Sequence, residues 1–440
     1  LAAGLTYPGA VIANHFGAQF LLLILLAVGT LLVPAIRQLL FTKPLFKVMR
    51  KSLPPIGLTE SIALEAGSVW WDAELFQGDP NWRELTELEA IELTQEEQSF
   101  VDNEVETLCA MVDSHEIQSS HDLPKEVWKY IFDKGFLGLI IPKEFNGKGF
   151  SHFAHAIIVG RLSSASQFLG IAVMVPNSLG PGELLLKYGT DEQKQHYLPR
   201  LAEGKEIPCF GLTSTVAGSD AGSLIDNGIV CYGKFEGKEV LGLRLNWEKR
   251  YITLAPIATV IGLAFKAYDP DNLLPEDHPL HKRNDLGITC ALIPRSTQGL
   301  SIGTRHKPIG EPFQNGPIFG KDVFIPMDWV IGGDKMLGHG WRMLMECLSV
   351  GRGISLPVTG ASATQAMLLT TSTYSQTREQ FGIPIAKMEG IQEKLSNLAS
   401  NAFRATANIN LSTWALDAGH RPSIISAIVK YRNTQLLQSS

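Results

Sequence analysis

The 440-residue chain carries 38 Lys and Arg against 44 Asp and Glu, a formal charge of −6, and is 45% apolar and 19% charged. This mild acidic balance, without a basic stripe or basic tail, argues against nucleic acid as a partner. Five widely spaced cysteines (Cys109, Cys209, Cys231, Cys290 and Cys347) form no CxxC, so they read as reduced core residues, and no metal is expected. The length allows roughly two to four domains of about 100–200 residues each. A chain that begins with Leu1 and stops just after a helical pattern over 422–437 reads as a fragment.

No Asp, Glu, Lys or Arg precedes Arg37, and residues 20–36 are almost wholly apolar. That is close to the ~20 residues needed to cross a bilayer core. A signal peptide would carry its positive charge before the apolar run; here Arg37, Lys43, Lys47, Arg50 and Lys51 follow it. The reading is a membrane segment over 1–36. The positive-inside rule then places the basic residues, and the large body behind them, on the cytoplasmic side of a bacterial inner membrane. Residues 37–93, with Pro54-Pro55 and the aromatics Trp70, Trp71 and Phe76, read as a juxtamembrane connector that packs on the main body.

From Thr94 the pattern turns helical. Phe100, Val101, Val105, Leu108 and Met111 recur with a period near 3.6. Further helices are predicted over 125–134, 155–164, 182–188 and 191–202, with breakers at 146–149 and 177–182. Together they make an N-terminal helical domain over 94–206. Residues 207–335 instead show short β-branched and aromatic runs between turns: 228–232, 240–245, 251–254, 259–265, 287–293 and 320–324. These predict a β-barrel-like middle domain. Over 336–440 helices return at 341–350, 361–378, 388–419 and 422–437, with Gly382-Ile383-Pro384 as a turn. The fold class is α+β: helices, a β domain, then a helical bundle cut short, all behind one transmembrane helix.

Three segments carry chemistry. The turn over 210–220 (Phe-Gly-Leu-Thr-Ser-Thr-Val-Ala-Gly-Ser-Asp) follows an apolar strand and offers hydroxyls, backbone N–H groups and two glycines to an electron-rich ligand. The second is Arg250-Tyr251-Ile252-Thr253 and the third Arg378–Ile385. In this order and these domains they resemble the acyl-CoA dehydrogenase family. Leu212-Thr213-Ser214-Thr215-Val216-Ala217-Gly218-Ser219-Asp220 is similar to that family's Leu-Thr-Glu-Pro-x-Ala-Gly-Ser-Asp loop. Tyr251-Ile252-Thr253-Leu254 is similar to its Trp-Ile-Thr-Asn strand, and Arg378–Ile385 matches its Arg-x-Gln-Phe-Gly-x-Pro-Ile in full. The resemblance runs from about Thr94 to the end. It is greatest to the large membrane-bound bacterial members of fatty-acid β-oxidation.

The resemblance implies FAD as cofactor and α,β-desaturation of medium- or long-chain acyl-CoA to the trans-2-enoyl thioester. An electron-transfer flavoprotein or similar acceptor would take the electrons, and the protein would be a homo-oligomer. It implies that Leu212 and Thr213 present donors to the isoalloxazine edge, that Thr253 hydrogen-bonds the ring, and that Tyr251 covers one face. Ser219 would lie near the flavin pyrophosphate and the CoA entrance, and Arg352 beside the acyl-CoA channel. Arg378 would reach the flavin phosphates or adenine of a neighbouring subunit, with Gln380 and Phe381 beside it. The family's proton-abstracting carboxylate stands in one of two places. One immediately precedes the channel-helix arginine, where this chain has Gly351. Glu346, five residues earlier on that helix, is rotated about 140° from it. The other is a Glu-Gly segment near the family's C-terminus, so the base is expected beyond Ser440. His339 and His420 read as loop or helix-end residues. Two further readings stay open: a non-catalytic flavin-binding membrane scaffold of the same fold, and an acyl-CoA oxidase.

Overall fold

The computed structural model describes the backbone of residues 6–178 and 180–440 and the side chains of residues 17–178, 180–347 and 351–440. The chain forms two compact units, Leu1–Leu58 and Thr59–Ser440.

The first unit is helical. Helix Thr6–Leu32 ends at Val33-Pro34, and a second helical run continues to Ser52. Proline can start a helix but cannot continue one, because it lacks the N–H and its ring crowds the preceding turn. The apolar stretch therefore stops as a straight rod at Leu32, four residues short of the expected 36. The runs Gly17–Leu32 and Pro34–Ser52 meet at 86°.

The second unit has helices at both ends and a sheet between them. Its N-terminal helical part opens on a capping box: Thr94 Oγ1 accepts from Glu97 N, and the Glu97 carboxylate accepts from Thr94 N at 2.8 Å. Helices Lys125–Asp133, Gly182–Tyr188 and Asp191–Ala202 lie where the periodicity placed them, and helix His152–Ala165 contains the predicted 155–164. Helix Gln167–Ser178 was not foreseen. Nearly all of it is buried, so it has no polar face and its sequence carries no period.

The middle domain is one curled sheet rather than a barrel. Its strands are β1 (Pro208–Gly211), β2 (Asn227–Phe235), β3 (Lys238–Thr253), β4 (Val260–Tyr268), β5 (Asp285–Pro294), β6 (Leu300–Ile302) and β7 (Asn315–Pro326). β1 and β2 share one edge of β4, β1 against Val260–Leu263 and β2 against Lys266–Tyr268. β5 lines the other edge of β4, while β3, β7 and β6 extend the sheet from β2. The sheet does not close because the free edge of β5 is already covered. Ala291 bridges Val330, and Ile331 N donates to Cys290 O at 2.9 Å. The interior face (Leu243, Leu245, Ile261, Phe265, Ile293 and Ile325) shares a core with Ile354, Val358 and Val429 of the C-terminal helices.

Those helices are Gly340–Thr377, Glu389–Asp417 and Ser423–Gln438. The first joins the two predicted helices 341–350 and 361–378 without a break. Gly351, Gly353 and Pro357 lie inside it, and packing explains the last two. A Cβ at Gly353 would sit 2.7 Å from Ser426 Oγ and 2.8 Å from Ser412 Oγ, so glycine is what lets the three helices approach. Pro357 has no N–H to give the Gly353 carbonyl one turn earlier, and Ser412 Oγ donates to that carbonyl instead, at 3.0 Å. Gly353→Leu should therefore lower stability by about 1–3 kcal/mol or more through overpacking. Gly390→Ala, with open space around it, should be neutral or stabilise by up to ~1 kcal/mol. Thermal denaturation of both variants checks the contrast; equal midpoints would contradict it.

Candidate functional site

The turn after β1 is fastened to β3 by a buried ion pair. Lys249 and Asp226 are almost wholly shielded, and Lys249 Nζ lies 2.5 Å from Asp226 Oδ2. The ammonium also donates to Leu212 O at 3.0 Å, and Asp226 Oδ1 accepts from Glu248 N at 2.9 Å. Burial pushes the Lys249 ammonium below its ordinary pKa, and Asp226 opposes that shift. One residue on, Arg250 N donates to Thr213 O at 3.0 Å, and Ser214 forms a bridge with Lys249. Leu212-Thr213-Ser214 and Lys249-Arg250-Tyr251 thus run side by side. Two segments that lie 37 residues apart in sequence become one surface.

A β-bulge between Lys249 and Ile252 then turns Tyr251 outward. Tyr251 has φ +57, an uncommon conformation for a bulky residue, and it is 59% exposed while its neighbours Ile252 and Leu254 are buried. Its ring meets only the tilted His306 ring, at 4.9 Å among the described residues. Thr253 faces Asn315, whose Nδ2 is 3.5 Å from its hydroxyl. Around this surface four buried polar atoms have no hydrogen-bond partner among the described residues: Ser214 Oγ, Arg305 Nε, His306 Nε2 and Asn315 Oδ1. Buried polar atoms are seldom left unsatisfied. A cluster of them beside an exposed aromatic ring fits a planar, polar-edged ligand such as a flavin.

The remaining predicted residues lie elsewhere. Ser219 is exposed at the far end of the turn, past the half-buried Thr215 and buried Ala217. Arg352 is exposed on helix Gly340–Thr377. Arg378, Gln380 and Phe381 sit on a two-stranded hairpin, Glu379–Gln380 against Ile383–Pro384, whose tip residues Phe381 and Gly382 both have positive φ. Phe381 is 96% exposed. Among the described residues no hydrogen bond or ion pair joins this hairpin to Leu212, Thr213 or Tyr251. The hairpin therefore belongs to an outward face of the chain.

The helix Gly340–Thr377 shows why Glu346 is a poor proton acceptor. Its carboxylate takes both Lys187 Nζ and Tyr188 OH. Burial resists its ionisation, but these partners outweigh it and hold its pKa below the ordinary value. Glu183 was not singled out from sequence, because a lone Glu after Gly-Pro-Gly carries no signal. In the fold it lies on helix Gly182–Tyr188 near Cys347, which precedes Gly351 by one helical turn. Burial raises its pKa to about 8, against a partial offset from Lys187, and its charge in turn raises the Cys347 thiol.

The connector packs on the same helix and on the end of helix Glu389–Asp417. Trp341 Nε1 donates to Thr59 O at 2.9 Å, Arg342 pairs with Glu65 at 3.1 Å, and Trp70 stacks on Trp414 and His420 at 5.4 and 5.0 Å.

Comparison with known proteins follows the same outline. Residues 86–205 match the acyl-CoA dehydrogenase N-terminal domain and residues 338–440 its C-terminal domain. The 3-(aryl)acrylate reductase of Clostridium sporogenes (strain ATCC 15579) is 30% identical over 334 residues, 76% of this chain and 80% of that protein. The mitochondrial short-chain specific acyl-CoA dehydrogenase of Bos taurus is 29% identical over 353 residues, 77% of each chain. The butyryl-CoA dehydrogenase structure from Megasphaera elsdenii aligns with a TM-score of 0.68 at 20% identity, over 79% of this chain and 86% of that one, a likeness of fold.

Two outcomes are expected. Lys249→Met strands a buried carboxylate, so it should cost about 3–5 kcal/mol. The double variant Lys249→Met/Asp226→Leu should recover much of that; a single variant as stable as the parent would remove the ion pair's role. Glu183, with a folded pKa above the ordinary 4.5, contributes stability that is full below about pH 4.5 and lost as the pH rises through about 8. The loss is on the order of a few kcal/mol. Glu183→Gln should flatten the fall in melting temperature across that window; an unchanged pH profile would contradict it.

Proposed function

The chain belongs to the acyl-CoA dehydrogenase family of FAD-dependent oxidoreductases, and on that premise we propose that it desaturates medium- to long-chain fatty acyl-CoA at the Cα–Cβ bond. The observation that carries this reading is the surface made by Leu212-Thr213 and Tyr251, with its four unpartnered polar atoms. When bound, FAD supplies the acceptor for the hydride that leaves Cβ as a base removes the α-proton.

The chain's own residues do the rest. Lys249 holds the Leu212 carbonyl, and the Thr213 hydroxyl, without a partner among the described residues, would donate toward the ring edge. Thr253 offers a second hydroxyl, positioned by Asn315. Tyr251, held outward by its bulge, forms one wall and keeps water from that face. Ser219 would meet the pyrophosphate, and Arg352 would contact CoA beside the acyl-CoA channel. Arg378, with Gln380 and Phe381, would serve the cofactor of a neighbouring copy, which suits their outward hairpin. Fixed donors aimed at a site where negative charge develops lower the barrier without reorganising.

Electrons would pass to an electron-transfer flavoprotein or similar acceptor. The apolar helix before Arg37 supports attachment to an inner membrane with the body in the cytoplasm. One alternative is a flavin-binding scaffold without turnover; Gly351, where the family pattern can place a carboxylate, fits both readings.

The protein purified in detergent should bind FAD as a yellow complex and bleach it anaerobically with palmitoyl-CoA. Retained FAD with no bleaching by any acyl-CoA from butanoyl to stearoyl would favour the scaffold, and no FAD binding would sink both. Arg378→Ala should lose FAD on gel filtration; full retention would remove that residue's role.

A further inference from the structure

The 86° bend separates two rods of different surface chemistry. In the first, the consecutive residues Phe20, Leu21, Leu22 and Leu23 are all exposed, and so are Leu25, Leu26, Leu31 and Leu32. Consecutive residues point around the whole helix at about 100° apiece. Over 17–32 no residue is charged and only Gln19 and Thr30 are polar, so this stretch suits an apolar surrounding. At its end Arg37 Nη1 donates to Leu31 O at 3.3 Å, which satisfies one carbonyl that the break at Pro34 leaves without a helical partner.

The second rod is two-sided. Over Lys43–Ser52, Lys43, Lys47, Arg50 and Lys51 fall within an arc of about 100°, whereas Leu45, Phe46, Val48 and Met49 span the opposite side, at about 100° per residue. All four apolar side chains are exposed in this unit. The charge is one-signed: the chain has no Asp or Glu before Glu60, against five Lys and Arg between Arg37 and Lys51. A helix with a basic face, an apolar face and no acid suits the boundary between headgroups and acyl chains. A perpendicular turn after an apolar rod lays it in that plane.

We propose that Lys43–Ser52 lies flat on the cytoplasmic leaflet, with Leu45, Phe46, Val48 and Met49 among the acyl chains and the four basic side chains bound to anionic phospholipid headgroups. This rests on the membrane half of the proposed function and is independent of the flavin half. The helix adds a lipid-selective contact to what would otherwise be a plain anchor. Each Lys or Arg near an anionic surface contributes about 1 kcal/mol, or about fivefold in binding at 25 °C.

The test uses the full chain in lipid nanodiscs of phosphatidylcholine, with or without phosphatidylglycerol. Benzoylphenylalanine replaces Phe46, Met49, Lys47 or Arg50 in turn, and lipid adducts are counted by mass spectrometry after illumination. Strong adducts are expected at positions 46 and 49 and at least about fivefold fewer at 47 and 50. Phosphatidylglycerol should raise the yield at 46, and Lys43→Gln/Lys47→Gln/Arg50→Gln/Lys51→Gln should abolish that rise. Equal adducts at all four positions would mean the rod crosses the bilayer. Adducts at none, with the chain still in the disc, would mean it packs on protein. Failure of the chain to enter discs would overturn the membrane reading itself, while FAD binding and bleaching would stand or fall separately. Each of these three results defeats the proposal.

Discussion

The buried pair Lys249–Asp226 holds the candidate site together. A lysine fully removed from water is tolerated only with a close countercharge and satisfied hydrogens, and here Asp226 and the Leu212 carbonyl supply both. The same ammonium therefore determines where the turn after β1 lies against β3. That placement brings Thr213 alongside Arg250 and sets Tyr251 on the outward side of the bulge. If the pair is lost, the turn keeps its sequence motif but loses its register with the strand that completes the surface.

Much of this was legible in the sequence, for identifiable reasons. Helices with one buried face declare themselves by period, as Lys125–Asp133 and Asp191–Ala202 did. Strands β2, β3, β4, β5 and β7 were visible as β-branched runs, although their ends were not. The turn 210–220 and the Arg378 hairpin stood out because both need glycine and specific polar residues at fixed spacing. What stayed hidden depends on three-dimensional neighbours. Helix Gln167–Ser178 is buried all round and has no period. Gly353 and Pro357 looked like helix breaks, yet close helix contact at Gly353 and the Ser412 hydroxyl bonded to the Gly353 carbonyl explain them inside one helix. The sheet stays open because residues 330–331 occupy the edge of β5, a long-range contact that no local pattern encodes. Neither Lys249 nor Asp226 stood out, since a pair 23 positions apart gives no local sign.

The helix Gly340–Thr377 links the other themes. Its first turns receive the connector at Trp341 and Arg342, its middle carries Gly351 where the family pattern can place a carboxylate, and its end leads into the Arg378 hairpin. Glu346 is committed to Lys187 and Tyr188, so its charge stabilises the junction between helices rather than serving a substrate proton. Glu183 is the contrasting case, a carboxyl kept protonated by desolvation in the same neighbourhood. Two acids near one helix thus have opposite ionisation, set by what surrounds each.

The central claim is that Tyr251, turned out by its bulge, forms a wall against which the flavin ring rests. A tyrosine in contact with a flavin quenches its fluorescence, so the direct measurement is the emission of bound FAD in the parent chain and in Tyr251→Leu, each at matched occupancy. The account predicts dim emission in the parent and a several-fold brighter signal in the variant. Equal emission from the two, with FAD bound in both, would contradict it.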